Sequence, residues 1–206
     1  MFEYSWGQYI ARNNGLKAYN FSEGGMSAKK YLDTFAEEKG FWDTEKACQA
    51  YVIALGVNDL FAGKREIGMP EDIEDENKTT FIHYYGGIVK RYKEISPDAK
   101  FFFVTLPNSN LPEKSETEQG MRAAMYALAE YFDNSYVIDL YKYGPVYDKE
   151  FEKKYFMYKH MTPSGYILTA KMIDSYIDYI IRHNPDDFKT AAFIGTDVNF
   201  VDIIPV

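Results

Sequence analysis

Gln49-Ala-Tyr-Val-Ile-Ala-Leu-Gly-Val-Asn-Asp59 is the stretch on which the fold turns. Residues 49–55 are almost continuously apolar, with no alternation. A strand that is wet on one face alternates apolar with polar residues, so an unbroken run reads as a strand covered on both faces. The next residues change character abruptly. Gly56 allows a sharp bend, Asn58 brings a neutral amide donor, and Asp59 can cap a turn or hold a loop by accepting backbone N–H bonds.

Working outward, the same logic finds further strands and the helices between them. Lys100 to Leu106, with Phe-Phe-Phe-Val-Thr at its centre, reads as a second buried strand, Tyr136 to Leu140 as another, and Leu16 to Phe21 as a short one. Helices are expected over 6–14, 27–38, 79–95, 116–132 and 164–182. Ser5 and Ser27 are placed as N-caps, Asn14-Gly15, Gly40 and Asn184-Pro185 as stops. The last helix carries Tyr166, Ala170, Ile173 and Ile177 at helical spacing. Residues 61–78, 107–114 and 141–163 read as connections, and the tail from Asp186 as a surface segment in which Ala191 to Ile194 could add a strand. Strands alternating with helices predict an α/β fold, a three-layer α/β/α sandwich on a mostly parallel, flavodoxin-like sheet, in one domain over 1–206.

Composition limits the partners. The chain has 206 residues, 46% hydrophobic and 26% charged, with a formal charge of -8. An acidic chain lacks the clustered Lys and Arg that phosphate contacts need, so no nucleic acid partner is expected, nor attachment to anionic membranes. No apolar run is long enough to span a bilayer. The single Cys48 allows neither an intrachain disulfide nor a cysteine metal cluster, and reads as a small core residue. The 19 Tyr fit half-buried packing as well as cleft lining. If Met1 is the natural start, the absence of a signal peptide implies a cytoplasmic chain.

In open α/β sheets, ligands sit beyond the carboxyl ends of the strands. Three segments place unusual residues there. Gly24-Gly25 lets the backbone approach a ligand and point N–H groups at an anion, although an ordinary glycine turn reads the same way. Asn58 is a candidate oxyanion donor, and Asp59 a candidate loop or ligand contact. His160, in Lys159-His160-Met161-Thr162-Pro163-Ser164-Gly165-Tyr166, precedes a helix and is a candidate general base. His83 lies within a helix and His183 at a helix C-terminus, where a positive ring suits the dipole, and three scattered histidines make no metal site. The five acids between Met69 and Glu76 do not follow a calcium-loop register and read as a solvated loop.

In this order the three segments resemble the SGNH (GDSL-like) hydrolase superfamily, over about 4–181. Asn20 followed by Gly25 is similar to the block whose glycine N–H lines the oxyanion hole. Gly56-Val57-Asn58-Asp59 is similar to the Gly-x-Asn-Asp block, and His160 with Thr162-Pro163 and Gly165-Tyr166 to the block of the catalytic base. The resemblance implies an esterase, lipase, thioesterase or carbohydrate deacetylase that needs neither metal nor organic cofactor. Its substrate would be a small-molecule ester or acylated carbohydrate, with Gly24 and Asp59 near it.

Two departures qualify the match. The family's first central strand ends in Gly-Asp-Ser, whose Ser is the nucleophile. Here Ser5, Ser22 and Ser27 follow no apolar strand, so the serine is expected upstream of Met1, in a parent protein that is in that case open to secretion. Alternatively the chain is a short form, with the tail near Phe193 or a second subunit of a homo-oligomer filling the gap. The acid that the family commonly places three residues before the histidine is replaced by Met157. A neighbouring acid or a backbone carbonyl is left to orient the ring. The competing reading is a catalytically inert binding module for an acyl or glycan group. A nucleotide or flavin binder is disfavoured, because no Gly-rich phosphate loop with a Lys is present.

Overall fold

The computed structural model describes residues 5–158 and 160–189. The chain divides into two compact units, Phe21–Val146 and Met1–Asn20 together with Tyr147–Val206.

In the unit Phe21–Val146, β1 (Ala50–Ile53), β2 (Lys100–Val104) and β3 (Ser135–Ile138) form a parallel sheet in the order β1-β2-β3. Ala50 lies opposite Lys100, and Phe101 opposite Ser135. Parallel neighbours need long crossovers. These are supplied by α4 (Phe81–Ile95) and α5 (Pro112–Tyr131). Tyr51, Ile53, Phe101, Phe103 and Val137 pack with Tyr85, Val89, Met121, Met125 and Leu128 of the two helices. Phe102 and Ile138 point to the opposite face and are also fully buried. Burial on both faces explains why β2 reads as a continuous Phe run, and each buried Phe contributes about 1.5–3 kcal/mol. The architecture is mixed α/β, a parallel sheet flanked by helices, consistent with an α/β/α sandwich.

The amino-terminal part of this unit is also built as its residues suggest. The Ser27 side chain accepts the Lys30 N–H and caps α2 (Ala28–Lys30). A π-helical turn, Tyr31–Phe35, leads into α3 (Ala36–Glu38), and Gly40 ends it at φ +62°. Several tyrosines of this unit are packing residues. Tyr51 stacks between Tyr92 and Phe101 at 4.3 and 5.2 Å, and Trp42 lies 4.7 Å from Tyr92. The Tyr31 and Tyr92 hydroxyls share a buried 2.6 Å hydrogen bond. Burial pushes Tyr31 up to about 12.

The other unit pairs α1 (Trp6–Asn14) with α8 (Pro163–His183). Ser5 caps α1 and Gly15 closes it in the left-handed region, at φ +65°. Asn13 and Asn14 donate to the two oxygens of Asp174 on α8. Thr162 caps α8 through the Gly165 N–H, with Pro163 at the first helical position. The helix buries Gly165, Thr169, Ala170, Ile173 and Ile180.

Three expectations need correction. Leu16 to Phe21 is not a strand. Apolar alternation alone does not make one, because backbone N–H and C=O groups need a neighbouring ladder, and among the described residues β1 pairs only with β2. The stretch 141–163 is not irregular. It holds the end of α6 (Leu140–Tyr143), then α7 (Lys149–Tyr155), capped by Asp148, and an antiparallel hairpin of β4 (Phe156–Met157) and β5 (His160–Met161). The acidic loop is not simply solvated. It winds into a 3-10 turn, Pro70–Glu74, whose Asp72 and Ile73 are buried. The tail reading at Ala191 to Ile194 lies outside the described residues, as does Lys159.

Candidate functional site

The carboxyl end of β1 delivers the chain to Gly56, which is buried at φ +130°. A Cβ there would lie 2.9 Å from Met121 Cε and 3.3 Å from Phe81 Cζ, so space and backbone both call for glycine. The chain then winds into a π-helical turn, Asn58–Ala62, closed by Gly63 N–H donating to the Asn58 carbonyl at 2.8 Å. This turn presents Asn58 and Asp59 to the segment around Gly25.

Both side chains reach that segment. Asn58 Nδ2 donates to the Met26 carbonyl at 2.9 Å. A primary amide carries two N–H donors, so one remains; it bonds to none of the described residues. Asp59 accepts the Ala28 N–H on Oδ2 at 2.9 Å and the Lys29 N–H on Oδ1 at 3.5 Å. Arg65 Nε stands 3.8 Å from Oδ1, with the guanidinium 4.9 Å from the centre of the Tyr84 ring. Asp59 is 1% exposed. Burial pushes its carboxyl above the ordinary Asp range, and the Ala28 and Lys29 N–H groups and Arg65 offset part of that rise. Gly24 and Gly25 form an exposed turn, with Gly25 left-handed at φ +76°. Among the described residues nothing hydrogen-bonds the Gly25 N–H.

His160 lies in the other unit, on β5, directly across the hairpin from Met157. It is exposed, and among the described residues no hydrogen bond reaches its ring. Tyr158, beside it at the hairpin tip, is 90% exposed and left-handed at φ +59°. The other histidines are engaged elsewhere. His83 Nδ1 meets the Asp72 carbonyl at 3.0 Å, and His183 Nδ1 meets the Tyr179 carbonyl at 2.8 Å. Ser5 and Ser27 serve as helix caps. Thus the structure brings Gly25, Asn58 and Asp59 into one bonded wall, and places His160 on a hairpin of the second unit.

Sequence reasoning missed a set of buried polar residues at the same ends of β2 and β3. Thr105 Oγ1 accepts the Tyr141 N–H at 3.1 Å. Glu118 is buried on α5, and its Oε2 accepts the Ser109 N–H at 3.3 Å. Asp139 is fully buried and collects Arg122 Nε at 2.7 Å, the Tyr126 hydroxyl at 3.0 Å and the Lys142 N–H at 3.0 Å. These groups fix the loops that follow the strands. One signal was available: Glu118 sits in line with Met121, Met125 and Leu128, a carboxylate within an apolar helical stripe.

Among the described residues, no group of three or more His, Cys, Asp and Glu could hold a metal ion. No helix among them is long and apolar enough to cross a membrane.

No protein-family model matches the chain, and no curated protein matches it. Solved structures do. One is described as a possible lipase from Chitinophaga pinensis DSM 2588, with TM-score 0.60 and 17% identity over 84% of this chain and 87% of that one. A second has TM-score 0.59 and 22% identity over 86% of this chain and 87% of its own. At such identities the likeness concerns the fold, and the chain shares its mixed α/β architecture with a protein described as a possible lipase.

Proposed function

We propose that this chain carries the oxyanion-hole and general-base part of an SGNH-type carboxylic-ester hydrolase, acting on a small ester or an acylated carbohydrate. The observation that carries the reading is the junction of Asn58 with the Gly25 turn, in which Asn58 Nδ2 bonds the Met26 carbonyl while Gly25 is exposed and none of the described residues bonds its N–H. A backbone N–H and a side-chain amide, both tied to rigid elements, can receive the oxygen of a tetrahedral intermediate. The fold-level likeness to a possible lipase agrees with this reading.

In the reaction, a serine hydroxyl attacks the acyl carbon and His160 takes its proton. The carbonyl π electrons move onto oxygen, which the Gly25 N–H and the Asn58 amide stabilise. The C–O bond of the ester then breaks as His160 returns the proton to the departing alkoxide. Water repeats the sequence on the acyl-enzyme. No serine in this sequence matches the family's nucleophile motif, so the reading takes the nucleophile from outside these motifs.

The test is hydrolysis of p-nitrophenyl acetate by the full-length protein, together with mass-spectrometric mapping of a fluorophosphonate adduct to name the serine. Asn58→Ala is expected to lower kcat about 100- to 1,000-fold with the fold intact, and His160→Ala to abolish turnover. An unchanged Asn58→Ala rate refutes the assignment. The roles of Ser5 and Ser27 as caps favour a second reading, an inert acyl- or glycan-binding module. It is supported by saturable binding of an acetylated sugar with neither adduct nor turnover.

A further inference from the structure

The least exposed group of the wall is one that the sequence placed near the substrate. Asp59 is 1% exposed, and both carboxylate oxygens face inward, so it has no free surface for a substrate. What it touches is the chain just after Gly25. Asn58 grips this segment at the Met26 carbonyl, and Asp59 grips it at the Ala28 and Lys29 N–H groups. Ser27, between them, closes the same helix start onto the Lys30 N–H. The gripping residues are themselves held. Leu60 N–H bonds the Gly56 carbonyl at 2.9 Å, and Arg65 N–H bonds the Asp59 carbonyl at 3.0 Å.

We infer that Asp59 is a positioning residue for the oxyanion hole, locking the helix start at Ala28 to the Asn58 turn and thereby fixing the direction of the Gly25 N–H. The inference rests on the esterase reading above. Since nothing described bonds the Gly25 N–H, its direction is set by the backbone on either side. On the carboxyl side, every residue from Met26 to Lys30 except Ser27's own amide is tied by one of these bonds or lies in the helix. Of the gripping groups, only Asp59 is charged. An anion suits the partly positive N-terminus of a helix, and Arg65 Nε stands 3.8 Å from its Oδ1. The Lys29 ammonium is engaged with Asp33 instead. Removing the charge while keeping the shape should therefore loosen the turn without opening the sheet.

Asp59→Asn makes that change, since its amide can accept one N–H but must turn its own NH2 toward a second donor. Two readouts are taken, exchange on the whole chain and hydrolysis on the protein in which the fluorophosphonate mapping has named the serine. By amide exchange, Ala28 and Lys29 are expected to exchange at least ten-fold faster than in the unsubstituted protein, and the Gly25 cross-peak to move, while Phe101–Val104 keep their rates. With p-nitrophenyl acetate, kcat is expected to fall at least ten-fold at constant KM. If Asp59→Asn does not fold, Arg65→Gln is read instead; it keeps the carboxylate and its N–H bonds and should give the same pattern at about three-fold. Unchanged exchange at Ala28 and Lys29, or a rise in KM at constant kcat, overturns the proposal. An unsubstituted protein that hydrolyses no ester refutes the esterase reading instead, and the exchange measurements then decide the clamp alone.

Discussion

Replacing Gly56 by alanine adds one methyl group at the most constrained point of the wall. The backbone there is at φ +130°, which L-residues rarely adopt, and holding a side chain in such a region costs about 1–3 kcal/mol. The new Cβ would also sit 2.9 Å from Met121 Cε, 3.0 Å from Met121 Sδ and 3.3 Å from Phe81 Cζ. Overpacking costs about 1–3 kcal/mol. The contacting end of Met121 is flexible, which favours the lower part of that range, whereas the Phe81 ring is buried and cannot retreat far. The sum is roughly 2–5 kcal/mol, to be set against a total stability of about 5–15 kcal/mol. In a chain of this size it should lower Tm by roughly 4–20 °C. Urea titration followed by far-ultraviolet circular dichroism measures it. Gly7→Ala serves as control, because among the described residues no atom beyond its chain neighbours and its own helix backbone lies within 4 Å of a Cβ at that position. A Gly56→Ala protein within about 0.5 kcal/mol of the unsubstituted one, below the ordinary core effect, would show that Gly56 is not required by its backbone or its neighbours.

Other expectations follow from the same contacts. Tyr31→Phe leaves the Tyr92 hydroxyl buried without its 2.6 Å partner, and should destabilise by about 1–3 kcal/mol in the same titration. Asp139→Ala strips Arg122 and Tyr126 of their common acceptor; because Arg122 is partly exposed, the loss is set at about 3 kcal/mol, the lower end for a broken buried pair. Asp72 governs an acid limb. Burial alone would raise its pKa, but the Thr80 hydroxyl, the Met69 N–H and Lys78 outweigh it and hold the carboxyl below the ordinary value of 3.8. Below that value the unfolded chain binds the proton more readily than the folded one, so this contribution is present above 3.8 and is lost as pH falls through the lowered folded value. Asp72→Asn should flatten the stability–pH curve in that acid window; an unchanged acid slope would assign the limb to other carboxyls.

The strands were legible where burial on both faces left an unbroken apolar run, as in Phe101-Phe102-Phe103, and the helices where a cap and a stop bracketed the pattern, as with Ser5 and Gly15. Leu16 to Phe21 was misread because pairing is a property of the neighbour, not of the segment. The hairpin was invisible for a different reason. Its tip holds Tyr158 at φ +59°, where a turn signal would call for Gly, Asn or Asp. In the candidate site, the residue types of Gly25, Asn58 and His160 were readable, but their partners were not. Asp59 caps a helix start 31 positions earlier in the chain, and no local pattern encodes that distance. Conversely, Asp139 falls inside the stretch Tyr136 to Leu140 that reads as a strand, and only the structure shows three donors converging on it.

The aromatic packing around Trp42 has an optical consequence. The chain has two tryptophans, and they fall one to each unit, Trp6 in α1 and Trp42 in the unit that carries the sheet. With Tyr92 at 4.7 Å and Tyr31 at 5.9 Å, Trp42 is within range to collect excitation from neighbouring phenols, so light absorbed by tyrosine emerges as indole emission while the sheet unit is folded. Trp6→Phe and Trp42→Phe therefore yield two single-colour proteins, each reporting the melting of its own unit.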